Sequence, residues 1–177
     1  MVASVREPGG RYVRHRLAVS ELYVSLHEAE REGLLELLAF QAEPDCWRPM
    51  TDSLGGQTLL KPDAFARVGI GAYEDQYFIE VDLSTESRSV IARKLKTYVS
   101  YWNSGIEQQA SGVFPRVVLI TNSEERKGSL VEVCEHMPAE TWQLFTITTS
   151  TTSWPSSPAN LAVITTGAKQ RPCHESA

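Results

Sequence analysis

Cysteine is scarce in this 177-residue chain, and its three cysteines, Cys46, Cys134 and Cys173, form no CxxC and no Cys/His pair at zinc-ligand spacing. An odd number of scattered thiols argues against a disulfide framework and fits a reducing compartment, the cytoplasm. Long apolar runs are missing too. Nothing approaches the roughly 18 residues that a bilayer-spanning helix requires, and the first residues, with Arg6, Pro8, Gly9 and Gly10, lack the apolar core of an export signal. Membrane partners are therefore not expected. There is no excess of positive charge either: 17 Lys and Arg stand against 22 Asp and Glu, giving a net charge of −5 and a pI near 5.4. Any nucleic-acid contact must come from a local basic patch. A Gly-rich phosphate loop, a GxSxG elbow and an HExxH pair are all absent, which removes the nucleotide-cradle, serine-hydrolase and zinc-protease classes. No internal repeat is present.

What the chain does contain is enough apolar material, 42% of residues, for one compact core. Ala18, Val19, Leu22, Leu26 and Ala29 fall on one face of a helix expected over 12–31, which Gly33 ends. Over 34–41 a buried strand is expected, with a further helical turn the alternative its length leaves open; a connection with Pro44, Pro49, Asp52, Gly55 and Gly56 follows over 43–56, then two strands over 59–68 and 77–83 joined by a hairpin turn. Ser84 or Thr85 is placed to cap a helix reaching Trp102. A polar loop over 103–114 leads to Arg116–Thr121, β-branched and apolar inside, as a central strand is. A helix over 123–137 and a strand over 142–148 follow. This order predicts an α/β fold, a three-layer-like sandwich with a central mixed sheet flanked by helices. Residues 1–14 read as a flexible leader, 15–148 as the domain, and 149–177 as a loosely ordered Ser/Thr/Pro-rich segment with a last edge strand at 161–165.

The chemistry sits in Leu60-Lys61-Pro62-Asp63, in Phe78-Ile79-Glu80-Val81-Asp82, and in Lys94. Strand alternation puts Phe78, Glu80 and Asp82 on one side, so two carboxylates stand together. With Asp63 from the neighbouring strand they can bind Mg²⁺, which orients a phosphate and activates a water. The bland alternative is the solvated face of an ordinary two-sided strand. For the helix, ~100° per residue places Lys94 roughly 60° from the centre of the stripe Val90, Ile91, Leu95, Tyr98 and Trp102, and Lys96 roughly 140° away. Lys94 then borders the sheet, either as a group beside the metal or as a stem covering the core with its head in water. His15 lies on the apolar side of the first helix, where a packed, hydrogen-bonded histidine is the commoner outcome. Glu21 projects away from it. Glu43 and Arg48 are expected as a surface pair. Arg116, Arg126 and Lys127 near the ends of the central strand are candidate phosphate contacts, diluted by Glu124 and Glu125. Tyr98, Tyr101 and Trp102 read as packing aromatics.

Four runs, His15–Leu26, Leu60–Ala64, Phe78–Glu86 and Lys94–Tyr98, resemble in order and spacing the replication-relaxation proteins of Gram-positive bacteria and their plasmids and conjugative elements. That family looks like a branch of the PD-(D/E)XK nuclease superfamily, with a restriction-endonuclease-like sheet. The resemblance implies that Asp63 and Glu80 are the first and second metal-binding acids of a Mg²⁺- or Mn²⁺-dependent DNA endonuclease or nickase, with Asp82 as a third. It also sets Asp82 where the superfamily usually places lysine, so Lys94 is the nominee for that charge. Relatives commonly carry a winged-helix domain ahead of the first motif, and only fourteen residues precede His15 here. The expectation is that the DNA-reading half is missing. Two functions stay open, a nuclease acting on mobile-element DNA or a catalytically silent module that binds DNA or a replication or conjugation protein, with a structural domain of neither activity as a blander third.

Overall fold

The structure, a computed structural model, describes residues 9–51 and 55–149. Helix α1 (Gly10–Arg31) forms because Val19, Leu22, Leu26 and Ala29 recur at helical spacing, and all four are buried. It ends at Glu32, whose N–H returns to Glu28, and Gly33 turns the chain at a φ of 73° that glycine adopts without strain. Then come β1 (Glu36–Ala42), β2 (Arg48–Thr51), β3 (Gln57–Leu60), β4 (Ala64–Ile70), β5 (Tyr73–Asp82), α2 (Arg88–Ser104), α3 (Ile106–Ser111), β6 (Arg116–Thr121), α4 (Glu124–Glu135), a 3-10 turn at Ala139–Leu144 and β7 (Phe145–Thr149).

The main sheet has five strands in the order β1-β4-β5-β6-β7, and β2 with β3 makes a separate ribbon. β4 pairs antiparallel with both β1 and β5, whereas β5, β6 and β7 are parallel to one another. Parallel neighbours need crossovers, which α2 and α4 provide. Side chains alternate between two cores. Phe78, Val117 and Leu119 pack with Ile91, Leu95, Tyr98, Leu130 and Val133 of α2 and α4. Ile79, Val118 and Ile120 pack with Val19, Leu22 and Leu26 of α1. Removing side chains such as Ile79, Leu95 or Val118 from water stabilises the fold by about 1.5–3 kcal/mol each. The expected sandwich, helices on both faces of a mixed sheet, is the observed one. No helix among the described residues is long and apolar enough to cross a membrane.

Several boundaries differ from those expected. The strand expected over 59–68 breaks at Lys61–Asp63, because Pro62 has no N–H for a ladder; β3 joins the ribbon and β4 the main sheet. The hairpin turns at Gly71 and Ala72, with Gly71 at a φ of 61°, so Glu74 and Asp75 lie within β5. α2 is capped by Ser87, whose Oγ accepts the Val90 N–H, while Ser84 and Thr85 precede it. Residues expected to be loop at 106–111 form α3 between Gly105 and Gly112. Trp142 belongs to the 3-10 turn, and β7 starts at Phe145. Residues 10–14, expected in a flexible leader, belong to α1. The suggested edge strand at 161–165 lies outside the described residues.

Candidate acidic site

Glu80 and Asp82 are 2% and 4% exposed, so the solvated-face alternative does not hold. On β5 they point with Phe78 toward α2. Lys94 and Tyr98 are one helical turn apart and so face the same strand position. Lys94 Nζ donates to Glu80 Oε2 at 2.7 Å and the Tyr98 hydroxyl to Oε1 at 2.6 Å. Lys94 also reaches Glu86 Oε2 at 3.2 Å. Lys94 therefore turns inward as its angular position predicts, and Lys96 is exposed. Burial pushes the Glu80 carboxyl up to about 7, the Asp63 charge adds to this, and Lys94 and Tyr98 oppose it. For Lys94, burial alone would favour the neutral amine, but Glu80, Asp63 and Glu86 outweigh it and raise its pKa. The ammonium stays charged, so it can position an anion and cannot act as a base.

Asp63 stands just before β4 and brackets Glu80 from the side. Its N–H donates to Ile79 O at 3.1 Å, and its Oδ2 accepts the Val81 N–H at 2.7 Å. Its other oxygen lies 3.1 Å from His15 Nε2. The hydrogen bond to Asp63 raises the His15 pKa against the opposing effect of burial. These groups open into a cleft of about 310 Å³ at the C-terminal end of β5, lined by residues that include Arg11, His15, Asp63, Asp82, Glu86 and Lys94. Asp63, Asp82 and Lys94, distant in sequence, do share this cleft.

Asp82 is engaged elsewhere. Arg126 Nε donates to its Oδ2 at 2.7 Å, the Ser84 N–H donates to Oδ1 at 2.8 Å, and the Arg126 guanidinium also donates to Glu86 O at 2.7 Å. Arg126 is thus turned inward rather than presented to a phosphate. Lys127 pairs with Glu124 at 3.5 Å. Arg116 starts β6 opposite Tyr77, while Asp82 faces Thr121 at the other end, so the three expected phosphate contacts do not gather in one place. Glu43 pairs with Arg16 and Arg48 with Glu107, not with each other. Tyr98 and Tyr101 are buried as expected, but Tyr98 is also a site residue. Its signal was available: position i+4 from Lys94, with a hydroxyl that burial obliges to find a partner.

Among the described residues, no group of three or more His, Cys, Asp or Glu side chains is placed to hold a metal ion. The donors explain why. Both oxygens of Glu80, of Asp82 and of Asp63 already accept hydrogen bonds or ion pairs from the protein. A divalent cation needs free carboxylate oxygens converging on one point. As arranged, Asp63, Glu80 and Asp82 do not converge on one point as a three-carboxylate site for Mg²⁺ or Mn²⁺.

Fold and site together define an α/β sandwich whose sheet carries a buried acid and lysine centre at the end of its third strand. The replication-relaxation family model matches residues 2–117, about two thirds of the chain, and the protein belongs to that family. The match includes Asp63, Glu80, Asp82 and Lys94 and stops before Arg126. No curated protein and no solved structure matches the chain.

Proposed function

We propose that this chain is a PD-(D/E)XK-like module of the replication or transfer apparatus of a plasmid or mobile element, and that it binds DNA or a replication or conjugation protein without cutting. The superfamily reading rests on placement: an acid just before the second strand of the sheet, a second acid on the third, and a lysine on the following helix. The silent reading rests on one observation. The Glu80 carboxylate is saturated by Lys94 and Tyr98, and Asp82, in the position where lysine is usual, is tied to Arg126.

The test is a nicking assay on supercoiled plasmid with Mg²⁺ or Mn²⁺, run beside a thermal melt and a duplex-DNA mobility shift. No nicked product, and no metal-dependent rise in Tm, is the expected result, with any DNA affinity falling steeply as salt rises. One feature favours the second reading, a metal-dependent endonuclease or nickase: Asp63, Asp82 and Lys94 line a common cleft. Metal-dependent nicking lost in Asp63→Ala and Glu80→Ala would establish that reading and end the first.

A further inference from the structure

Helix α1 carries apolar residues on two opposite sides. Its inward face is Val19, Leu22, Leu26 and Ala29. Val13, Leu17 and Val24 are 42%, 56% and 53% exposed. At ~100° per residue these three lie within about 40° of one another and roughly 180° from the buried set. With Ser20 between them they follow the four-three-four spacing of a coiled-coil seam, along a helix about 33 Å in length. Nothing among the described residues covers that seam. Solvated charge normally fills the outward side of a helix that flanks a sheet, so an apolar seam there calls for an occupant.

The charges beside the seam say which occupant fits. The first half of α1 carries Arg11, Arg14 and Arg16, and the second half Glu21, Glu28 and Glu30 with one basic residue, Arg31, in the last turn. Arg16 is held by Glu43, and Glu30 accepts the Leu37 N–H. Arg14, Glu21 and Glu28 line one flank of the seam at seven-residue intervals, and Arg14 and Glu28 make no ion pair with any described residue. A helix flank with Arg14 near one end and Glu28 near the other complements itself when the helix is reversed.

We infer that this seam is a self-association surface on which a second copy of the chain packs with α1 antiparallel. A two-fold axis near Glu21 sets Leu17 against the partner's Val24 and Val24 against the partner's Leu17. The same operation puts Arg14 beside the partner's Glu28, twice per dimer, and Glu21 beside its own equivalent. The contact is isologous and closes at two copies. It leaves the cleft residues Asp63 and Lys94, on other elements, out of the seam.

Sedimentation of the full 177-residue chain over a range of micromolar concentrations tests this. The parent should sediment as a dimer that dissociates on dilution, and Leu17→Glu should be monomeric with an unchanged circular-dichroism spectrum. Arg14→Glu should weaken the dimer by about tenfold or more through two like-charge contacts, and adding Glu28→Arg should restore it. Glu21→Gln, which removes the one repulsive pair, should tighten it. A parent that stays monomeric at the highest concentration reached, or a dimer indifferent to Leu17→Glu, would overturn the inference. So would Glu28→Arg failing to rescue Arg14→Glu while both variants remain folded.

Discussion

The Lys94 ammonium lies 2.7 Å from Glu80 Oε2, and that contact bridges α2 to the middle of the sheet. Its energetic weight comes from burial. Glu80 is 2% exposed, so removing the cation leaves a carboxylate with only Tyr98 to answer it. Above about pH 7, where the Glu80 carboxyl is ionised, Lys94→Met should destabilise the fold by roughly 3–5 kcal/mol, read as the shift in a urea unfolding midpoint. Adding Glu80→Gln removes the stranded charge and keeps an acceptor for Tyr98, so the double variant should recover most of that loss. If the double variant is no better than the single one, the pair does not act as a unit.

Stability should fall as pH rises, in two windows. The Glu80 carboxyl is pushed from 4.5 up to about 7 in the fold, so between those values the native chain holds a proton that the unfolded chain has released. That contribution is complete below about 4.5 and lost by about 7. His15 has a folded pKa raised above 6.5, so its share is complete below 6.5 and disappears as pH passes the raised value. Urea midpoints taken across this range should decline steadily. Glu80→Gln should flatten the lower window and His15→Gln the upper one, and a parent curve that rises over the same range would contradict both assignments.

The parts of this molecule that local pattern decides were legible in its sequence. β6 is apolar at every inward position because it is buried on both faces, and Lys94 follows from counting angle around α2. What escaped was decided by contacts between distant residues. Residues 59–68 carry the composition of one strand; Pro62 interrupts them, and the pairing of β3 with β2 and of β4 with β5 decides that the two halves join different sheets. His15 is the hydrogen-bonded histidine expected on the apolar side of α1, but only the fold reveals Asp63 as its partner. Arg126 looked like a phosphate ligand because nothing near it in sequence reveals Asp82, forty-four residues earlier, as its partner. Glu80 and Asp82 are buried, and sequence spacing does not reveal the protein donors that each of the three acids meets.

The cap of α2 offers a compact check on one such boundary. Ser87 Oγ accepts the Val90 N–H, so Ser87→Ala should cost about 0.5–1 kcal/mol. Thr85 is exposed and outside the helix, and Thr85→Ala should stay within about 0.5 kcal/mol of the parent. Equal losses from the two, measured by thermal or urea unfolding, would move the helix start back toward Thr85.

Asp82 and Arg126 bear most directly on the proposed function, because on the proposed PD-(D/E)XK-like reading Asp82 occupies the place where lysine is usual. Asp82→Lys would set an ammonium at a position 4% exposed, against a guanidinium now 2.7 Å from the carboxylate. Two unscreened cations there should cost roughly 3 kcal/mol or more. Adding Arg126→Glu reverses the pair without removing it, and should return much of the lost stability. Cleavage should not appear in either variant, since Lys94 and Tyr98 still saturate Glu80 and His15 still engages Asp63. Unfolding midpoints and plasmid nicking in Mn²⁺ read the two effects separately. Restored stability without nicking is the outcome of a centre closed by its own ion pairs, whereas nicking that appears together with the lysine would mean that Asp82 alone had been holding a competent nuclease silent.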